Sequence, residues 1–240
     1  MPSVTSRPRA FVRVAGPDAE DYLQRMVSND VAALADGGAC EALLLTPKAR
    51  IIAPLRVVRR GRDDFLLLTE PELADVVRTQ LLRTRFAAKV DVEPEEHEAW
   101  LVVGGDEVID ERPPGDEASD EELERWRIES GIPRWGRELD DRVLPAEAGL
   151  ERTHISFTKG CYPGQEPIAR QHYRGKVNRR LRVLDVGGDV AAGDELTHDG
   201  KVVGRVTSAV DGVALAYVRT EVPDDATLVT GKGHAKMRPA

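Results

Sequence analysis

The sequence predicts an α+β fold followed by a small β-barrel, and two observations lead to this class. Segments with strand and helix patterns alternate through the first third of the chain. After Arg182, short apolar runs such as residues 202–206 and 213–217 are separated by glycine-rich turns at even spacing. With 240 residues, 41% of them hydrophobic and 32% charged, the chain is long enough to bury a core and has the composition of a globular protein.

The first strand is expected at residues 10–14, and a helix follows it. Pro17 suits the first position of that helix, because its missing N–H would be unpaired there anyway. The next apolar residues recur at the spacing of one helix face: Ala19, Tyr22, Leu23 and Met26. This segment therefore predicts an amphipathic helix packed against a sheet.

Four further strands and a second helix complete the first unit. The strands are expected at residues 43–46, 51–58, 65–68 and 89–92. Tight turns at 47–50 and 61–64 join the first three, and Thr69 with Glu72 has the spacing of a capping box that would begin the second helix. This order is typical of a ferredoxin-like α+β unit.

The stretch from residue 106 to residue 122 is acidic and is interrupted by two prolines and a glycine. Such a composition predicts an exposed connection at a boundary between lobes. A helix that contains Leu123 and Trp126 is expected after it.

Charge and cysteine content limit the function classes. The formal net charge is −8, which argues against binding nucleic acid through the overall field of the protein. No segment resembles a signal peptide or approaches the roughly 20 apolar residues of a membrane helix, so we expect a cytoplasmic protein without a membrane partner. The two cysteines, Cys40 and Cys161, are far apart and lack zinc-finger or ferredoxin spacing, which leaves Cys161 as a free thiol in a reducing compartment.

The segment around Cys161 is the strongest candidate for chemistry. Its residues of interest are Lys159, Gly160, Cys161, Tyr162, Gly164, Gln165 and Glu166. Glycines let another molecule approach the backbone, and Pro163-Gly164 predicts a tight turn. A cation such as Lys159 or Arg170 near the sulfur would favour the thiolate, making it a nucleophile or a soft metal ligand. The alternative is an inert, buried cysteine beside a structural turn.

The order Lys-Gly-Cys-Tyr-x-Gly-Gln-Glu resembles the signature of the YgfZ family of folate-binding proteins, bacterial relatives of a mitochondrial iron-sulfur assembly factor. The resemblance continues in three flanking blocks and, more weakly, in two further ones: residues 126–133, 136–139 and 144–150, then 28–30 and 204–208. It implies the three-lobed fold shared with glycine-cleavage aminomethyltransferases, whose central hole takes tetrahydrofolate or a one-carbon derivative. On this resemblance we expect two interwoven α+β lobes in residues 1–175 and the barrel in residues 176–240.

The resemblance also implies roles for individual residues. Glu129 matches the glutamate offered to the pterin, where one carboxylate can accept from an N–H and the neighbouring amine; a solvated helix carboxylate is the alternative. Trp135, Tyr162 and Tyr173 are candidates to flank the aromatic rings, although core packing is the alternative for each. Arg170 begins a basic run that could receive the glutamate tail of folate or a phosphate backbone, or could be a solvated face.

One departure separates this chain from the aminomethyltransferases. Those enzymes place an essential acid just after the early hairpin turn, where this chain has Lys48 and Arg50. A cation cannot stabilise a positively charged transfer intermediate as a carboxylate would. The sequence therefore favours a tetrahydrofolate-dependent accessory factor that assembles or repairs iron-sulfur clusters through Cys161, with client enzymes and assembly proteins as partners.

Two other functions stay open at this point. The same cavity could serve a folate-dependent one-carbon transferase or demethylase, and the basic run after Arg170 could bind RNA directly, although the net charge makes this the weaker idea. His154 and His172 flank Cys161, but their spacing matches no established metal-ligand pattern. A single cysteine cannot hold a cluster that needs about four ligands, so we do not expect stable cluster binding by one chain.

Overall fold

A computed structural model describes residues 1–239 and contains two open sheets, a closed barrel and four α-helices. The first sheet has five antiparallel strands in the order β3-β4-β5-β2-β6. Its strands are β2 (Ala10–Ala15), β3 (Ala39–Leu45), β4 (Ile51–Gly61), β5 (Asp64–Thr69) and β6 (Asp91–Glu95). Helices α1 (Ala19–Met26) and α2 (Ala74–Thr84) pack on one face of this sheet and bury its largest apolar cluster. The predicted strand and helix order is confirmed.

The second sheet takes its strands from both ends of this region. Its order is β8-β7-β1-β9, where β1 is Ser3–Ser6, β7 is Ala99–Val102, β8 is Glu107–Ile109 and β9 is Asp116–Glu117. Because β1 precedes the whole first sheet in the sequence and pairs with both β7 and β9, the two sheets are interwoven through the N-terminal segment. Helix α3 (Asp120–Glu129) follows β9, and the Ser119 hydroxyl accepts from the Glu122 N–H as its N-cap.

The last part of the chain is a closed six-stranded barrel. Its strands are β10 (Arg179–Gly188), β11 (Glu195–His198), β12 (Lys201–Val210), β13 (Val213–Arg219), β14 (Thr227–Thr230) and β15 (Gly233–Met237). Alternate residues fill its interior with small and branched side chains such as Leu184, Leu196 and Ala216. The predicted barrel is confirmed, whereas the division at residues 175 and 176 stays a prediction.

Two local predictions were wrong. Helix α1 begins at Ala19 and not at Pro17, since Asp18 is the N-cap and its carboxylate accepts from the Lys89 N–H at 2.7 Å. Thr69 and Glu72 form no capping box, because Thr69 is the last residue of β5 and its hydroxyl donates to the Pro54 carbonyl at 2.9 Å. A short 3₁₀ turn at Pro71–Leu73 starts the helical segment instead.

Two segments also differ in extent. Strand β6 begins at Asp91, two residues later than expected, where its pairing with β2 begins. The acidic stretch from 106 to 122 is not only an exposed connection, since it holds β8 and β9 and supplies two of the four strands of the second sheet. Short strands with charged residues give little periodic signal, so the pairing was not visible in the sequence.

Candidate functional site

The loop that carries Cys161 leads into helix α4 (Gln165–Arg174). Cys161 is a free, exposed thiol. Gly164 precedes the helix with φ of +86°, and a Cβ at this position would lie 2.7 Å from the Thr46 carbonyl oxygen and 3.1 Å from the Ala49 Cα. Only glycine fits both the backbone conformation and this contact. The cysteine loop is therefore packed directly on the turn between β3 and β4.

Lys159 anchors the same loop from inside the protein. Its residue surface is 8% exposed, and its Nζ donates to the carbonyl oxygens of Val27 and Asn29, each at 2.7 Å. The amine also lies 5.5 Å from the centroid of the Tyr162 ring. Burial lowers the pKa of Lys159 to about 8. Its charge is thus directed at the end of α1, where helix carbonyls lack intrahelical partners.

Ser28 and Asn29 fix the chain that leads into this loop. The buried Ser28 hydroxyl donates to the His154 carbonyl at 2.6 Å and accepts from the Leu43 N–H at 2.8 Å. The Asn29 amide donates to the carbonyls of Glu41 at 2.7 Å and Thr153 at 3.0 Å. These bonds explain physically why residues 28–30 belong with the cysteine motif, although they are remote in sequence.

Tyr162 packs into the protein and does not face a ligand cavity. It is 7% exposed and lies in an apolar cluster with Leu45 and Ile168. Burial raises the pKa of its hydroxyl to about 12, and within residues 1–239 that hydroxyl has no hydrogen-bond partner. The structure therefore gives Tyr162 a packing role beneath the loop.

A central cavity of about 340 Å³ lies between the two sheets and the segment that follows α3. Its apolar wall includes Trp126, Trp135, Leu139 and Leu55. It adjoins a groove of about 430 Å³, and the two share the following lining residues: Arg7, Glu70, Leu101, Trp126, Ile132 and Pro133. Cys161 lines neither space. Trp135 lies in the cavity wall, and its role beside a ligand stays a prediction. Trp126 is a second aromatic wall residue, which the sequence placed only on a helix.

Charged residues form the polar wall of this cavity. Arg9 donates to both carboxylate oxygens of Glu107, at 2.7 and 3.1 Å, and to Glu70 at 3.0 Å. Burial alone would raise the pKa of Glu107, but its bonds to Arg9 hold that pKa below the usual range. Arg56 pairs with Glu41 at 2.9 Å. His154 also lines the cavity, and burial lowers its pKa.

Comparison with known proteins supports this architecture. Residues 178–240 match the family model described as CAF17, C-terminal beta-barrel domain. The glycine cleavage system aminomethyltransferase T from Bartonella henselae superposes with a TM-score of 0.84 over 99% of this chain and 85% of that chain, at 17% identity. This likeness confirms the three-lobed aminomethyltransferase-like fold.

Similar sequences agree with the structural likeness. The chain is 28% identical to the tRNA-modifying protein YgfZ of Edwardsiella ictaluri over 90% of this chain and 84% of that protein. It is 26% identical to the mitochondrial iron-sulfur cluster assembly factor IBA57 of Mus musculus over 89% of this chain and 76% of that protein. Together these likenesses support a YgfZ/GcvT-like family for the chain. The chain spans only half the length of an aminomethyltransferase of Nostoc sp. to which it is 30% identical.

Three blocks of the YgfZ/GcvT-like pattern meet in one buried polar network. Arg127 donates to Glu138 at 3.0 Å and to the Ser208 hydroxyl at 2.7 Å, and Ser208 donates to Glu138 at 2.6 Å. These residues come from α3, from the segment after it and from barrel strand β12. Sequence reasoning did not assign them a role, although their blocks were part of the resemblance. The network joins the barrel to the rest of the protein.

Glu129 is placed differently from the role that the YgfZ/GcvT-like resemblance implies. It is the last residue of α3, its side chain is 41% exposed, and its carboxylate lies 3.7 Å from Arg238. It does not line the central cavity or the adjoining groove. The carboxylates that line the central cavity are instead those of Glu41, Glu70, Asp106 and Glu107.

The basic run beginning at Arg170 lies on another face of the molecule. Arg170 is exposed and pairs with Glu166 at 2.7 Å, while Arg179 is held by Glu147. Lys176, Arg179 and Arg180 line an open cleft of about 990 Å³ that shares no lining residue with the central cavity and also contains three glutamates: Glu147, Glu151 and Glu221. The run is therefore not brought to the cavity.

The turn beneath the cysteine loop carries cations where the aminomethyltransferases carry an acid. Ala49 is buried and has a φ of +59°, and the Arg50 guanidinium donates to the Arg142 carbonyl. Within residues 1–239, no group of three or more histidine, cysteine or acidic side chains could hold a metal ion. Over the same residues, no helix is long and apolar enough to cross a membrane.

Proposed function

We propose that this chain is a tetrahydrofolate-binding accessory protein that assembles or repairs iron-sulfur clusters in client enzymes, and that Cys161 is its reacting group. The supporting observation is an exposed thiol on a rigidly anchored loop, separate from the central cavity. Its relatives include an iron-sulfur cluster assembly factor and a tRNA-modifying protein. We place this work in the cytoplasm, where thiols are kept reduced, with cluster-containing enzymes and assembly proteins as partners.

The chemistry of the cavity fits tetrahydrofolate or a one-carbon derivative of it. Trp126 and Trp135 offer flat apolar surfaces to the rings, and Glu41 offers a carboxylate to the N–H groups of the pterin. A cavity of about 340 Å³ with an adjoining groove of about 430 Å³ lies within the size range of small-molecule sites. When bound, the folate supplies nitrogen atoms that can carry a one-carbon unit.

Ligand exchange is the step that Cys161 can perform on a cluster. The thiol releases its proton to solvent, and the thiolate forms a bond to one iron of the cluster while the previous ligand of that iron leaves. No electron is transferred. Since one sulfur supplies only a quarter of the usual ligand set, the cluster would be held only while the client or a second protein supplies the other ligands.

The test replaces Cys161 with serine in cells that lack the native protein and measures the activity of [4Fe-4S] enzymes. Cys161→Ser is expected to restore less than about a tenth of the activity restored by the wild type, since a hydroxyl is a far poorer ligand for iron than a thiolate. Cys40→Ser is the matched control, because Cys40 is half-buried in β3 and its pKa is raised by burial to about 11. Full rescue by Cys161→Ser would refute the proposed role of the thiol.

A folate-dependent one-carbon transferase or demethylase is the second candidate, supported by the aminomethyltransferase relatives. Lys48 and Arg50 occupy the turn where such a transferase would need a carboxylate. Formation of methylenetetrahydrofolate from an amine donor by the purified protein would establish this function in place of the first.

A further inference from the structure

The guanidinium of Arg7 forms no hydrogen bond within the part of the chain that the structure describes. Arg7 lies between β1 and β2, where its backbone N–H donates to the Ala99 carbonyl and fixes the backbone. The carboxylate oxygen nearest to the guanidinium, on Glu107, lies at 3.6 Å. Guanidinium groups normally place several of their five N–H donors on acceptors when they are partly buried.

The carboxylates around Arg7 already accept hydrogen bonds from Arg9. Arg9 takes both oxygens of Glu107 and one oxygen of Glu70. Burial and the positive charge of Arg9 lower the pKa of Arg7 by more than the negative charges of the nearby glutamates raise it. Arg7 is thus a partly desolvated cation whose most direct route to stabilisation is an anion from outside the chain.

The position of Arg7 shows which anion would reach it. Its side chain is 32% exposed and lines both the central cavity and the adjoining groove, where the two meet. A ligand with its rings beside Trp135 and its tail in the groove would pass Arg7. We infer that Arg7 binds a carboxylate on the tail of the cavity ligand, in a bidentate pair, and so favours ligands that carry an acidic tail. This inference rests on the proposed binding of tetrahydrofolate, whose tail is a glutamate.

The remaining charges favour a ligand that is polar at both ends. Four carboxylates and three arginines line the cavity, so its charges would repel a simple anion; they are Glu41, Glu70, Asp106 and Glu107, and Arg7, Arg9 and Arg56. A ligand with N–H donors at one end and carboxylates at the other can pair with both the carboxylates and the Arg7 cation of the cavity, whereas inorganic phosphate can pair only with the cation. Arg7 therefore selects the tail and does not make the whole cavity an anion site.

The test compares two ligands that share every ring. One is 5-formyltetrahydrofolate, and the other is its dimethyl ester, in which both tail carboxylates are neutralised. Dissociation constants for both are measured by calorimetry with wild type, Arg7→Gln and Arg7→Lys, and with Arg62→Gln, which removes an exposed cation from the β4–β5 turn, as the control. Melting temperatures verify that each variant is folded.

We expect Arg7→Gln to weaken binding of the free acid by about tenfold or more, the size of a lost charge-assisted pair, and to leave the ester unchanged. Arg7→Lys should recover part of the loss, because an ammonium keeps the charge but not the planar fork. Equal affinity of wild type and Arg7→Gln for the acid, or an equal loss for both ligands, would overturn the inference and leave folate binding intact. If the wild type bound neither ligand, the proposed function would fail and the assignment of Arg7 would fail with it.

Discussion

Lys159 connects the cysteine motif to the body of the protein through a single buried amine. Two backbone carbonyls and the face of Tyr162 surround it. Burial lowers its pKa from 10.5 to about 8, which outweighs the opposite effect of the nearby charge of Asp30. The Lys159 amine thus loses its proton at a lower pH in the folded chain than in the unfolded chain.

This difference predicts a pH-dependent contribution to stability. Between about pH 8 and pH 10.5 the unfolded state binds more protons at this site, so stability rises with pH. We expect the free energy of unfolding of the wild type minus that of Lys159→Met to be constant below about pH 8 and to increase through this window. Denaturant titrations of both proteins at a series of pH values measure this difference. A constant difference for Lys159→Met would mean that the buried amine keeps its ordinary pKa.

At the scale of elements, the contact between the cysteine loop and the β3–β4 turn determines where the thiol is presented. Gly164 lies in this contact, since a Cβ there would be 2.7 Å from the Thr46 carbonyl oxygen. The cysteine-bearing loop and the cationic turn, which hold the two features that distinguish this chain from the aminomethyltransferases, therefore lie in contact. A substitution that shifts the loop should therefore also shift the β3–β4 turn.

Gly164→Ala should destabilise the protein by about 2 kcal/mol or more, because alanine is strained at a φ of +86° and its Cβ would meet the Thr46 carbonyl at 2.7 Å. Urea denaturation measures the change. Gly160→Ala is the matched control in the same loop, since a Cβ there would meet nothing within 4 Å, and its effect should stay below about 1 kcal/mol. Similar effects for both variants would contradict the packing of this loop on the turn.

Element types could be predicted from the sequence better than element ends. The face of α1 was visible because Ala19, Tyr22 and Leu23 repeat at helical spacing and are buried. The predicted capping box does not form, because Thr69 is still paired with Ala10 in the β5–β2 ladder and the helical segment begins after it. Pairing between strands outweighed a local capping preference, and the sequence around Thr69 alone gave no sign of that pairing.

At the scale of the whole molecule, the two open sheets and the segment after α3 enclose a cavity, while the cysteine loop lies outside its wall. The motif around Cys161 could be found from a continuous run of residues. The cavity could not, since Arg7, Glu41, Trp126 and Trp135 come from four separate segments that meet only after folding. The pterin role of Glu129 stays a prediction. In the folded chain its carboxylate lies 3.7 Å from the Arg238 guanidinium.

The central claim is that the thiol and the folate cavity are separate sites that serve one function. It is tested by measuring, for Cys161→Ser and Trp135→Leu in parallel, the affinity for tetrahydrofolate by equilibrium dialysis and the rescue of [4Fe-4S] enzymes in cells. We predict that Cys161→Ser binds tetrahydrofolate within about twofold of the wild type and fails to rescue, whereas Trp135→Leu loses about tenfold in affinity through the lost aromatic surface. A parallel loss of tetrahydrofolate affinity in Cys161→Ser, with its melting temperature unchanged, would contradict the separation of the two sites.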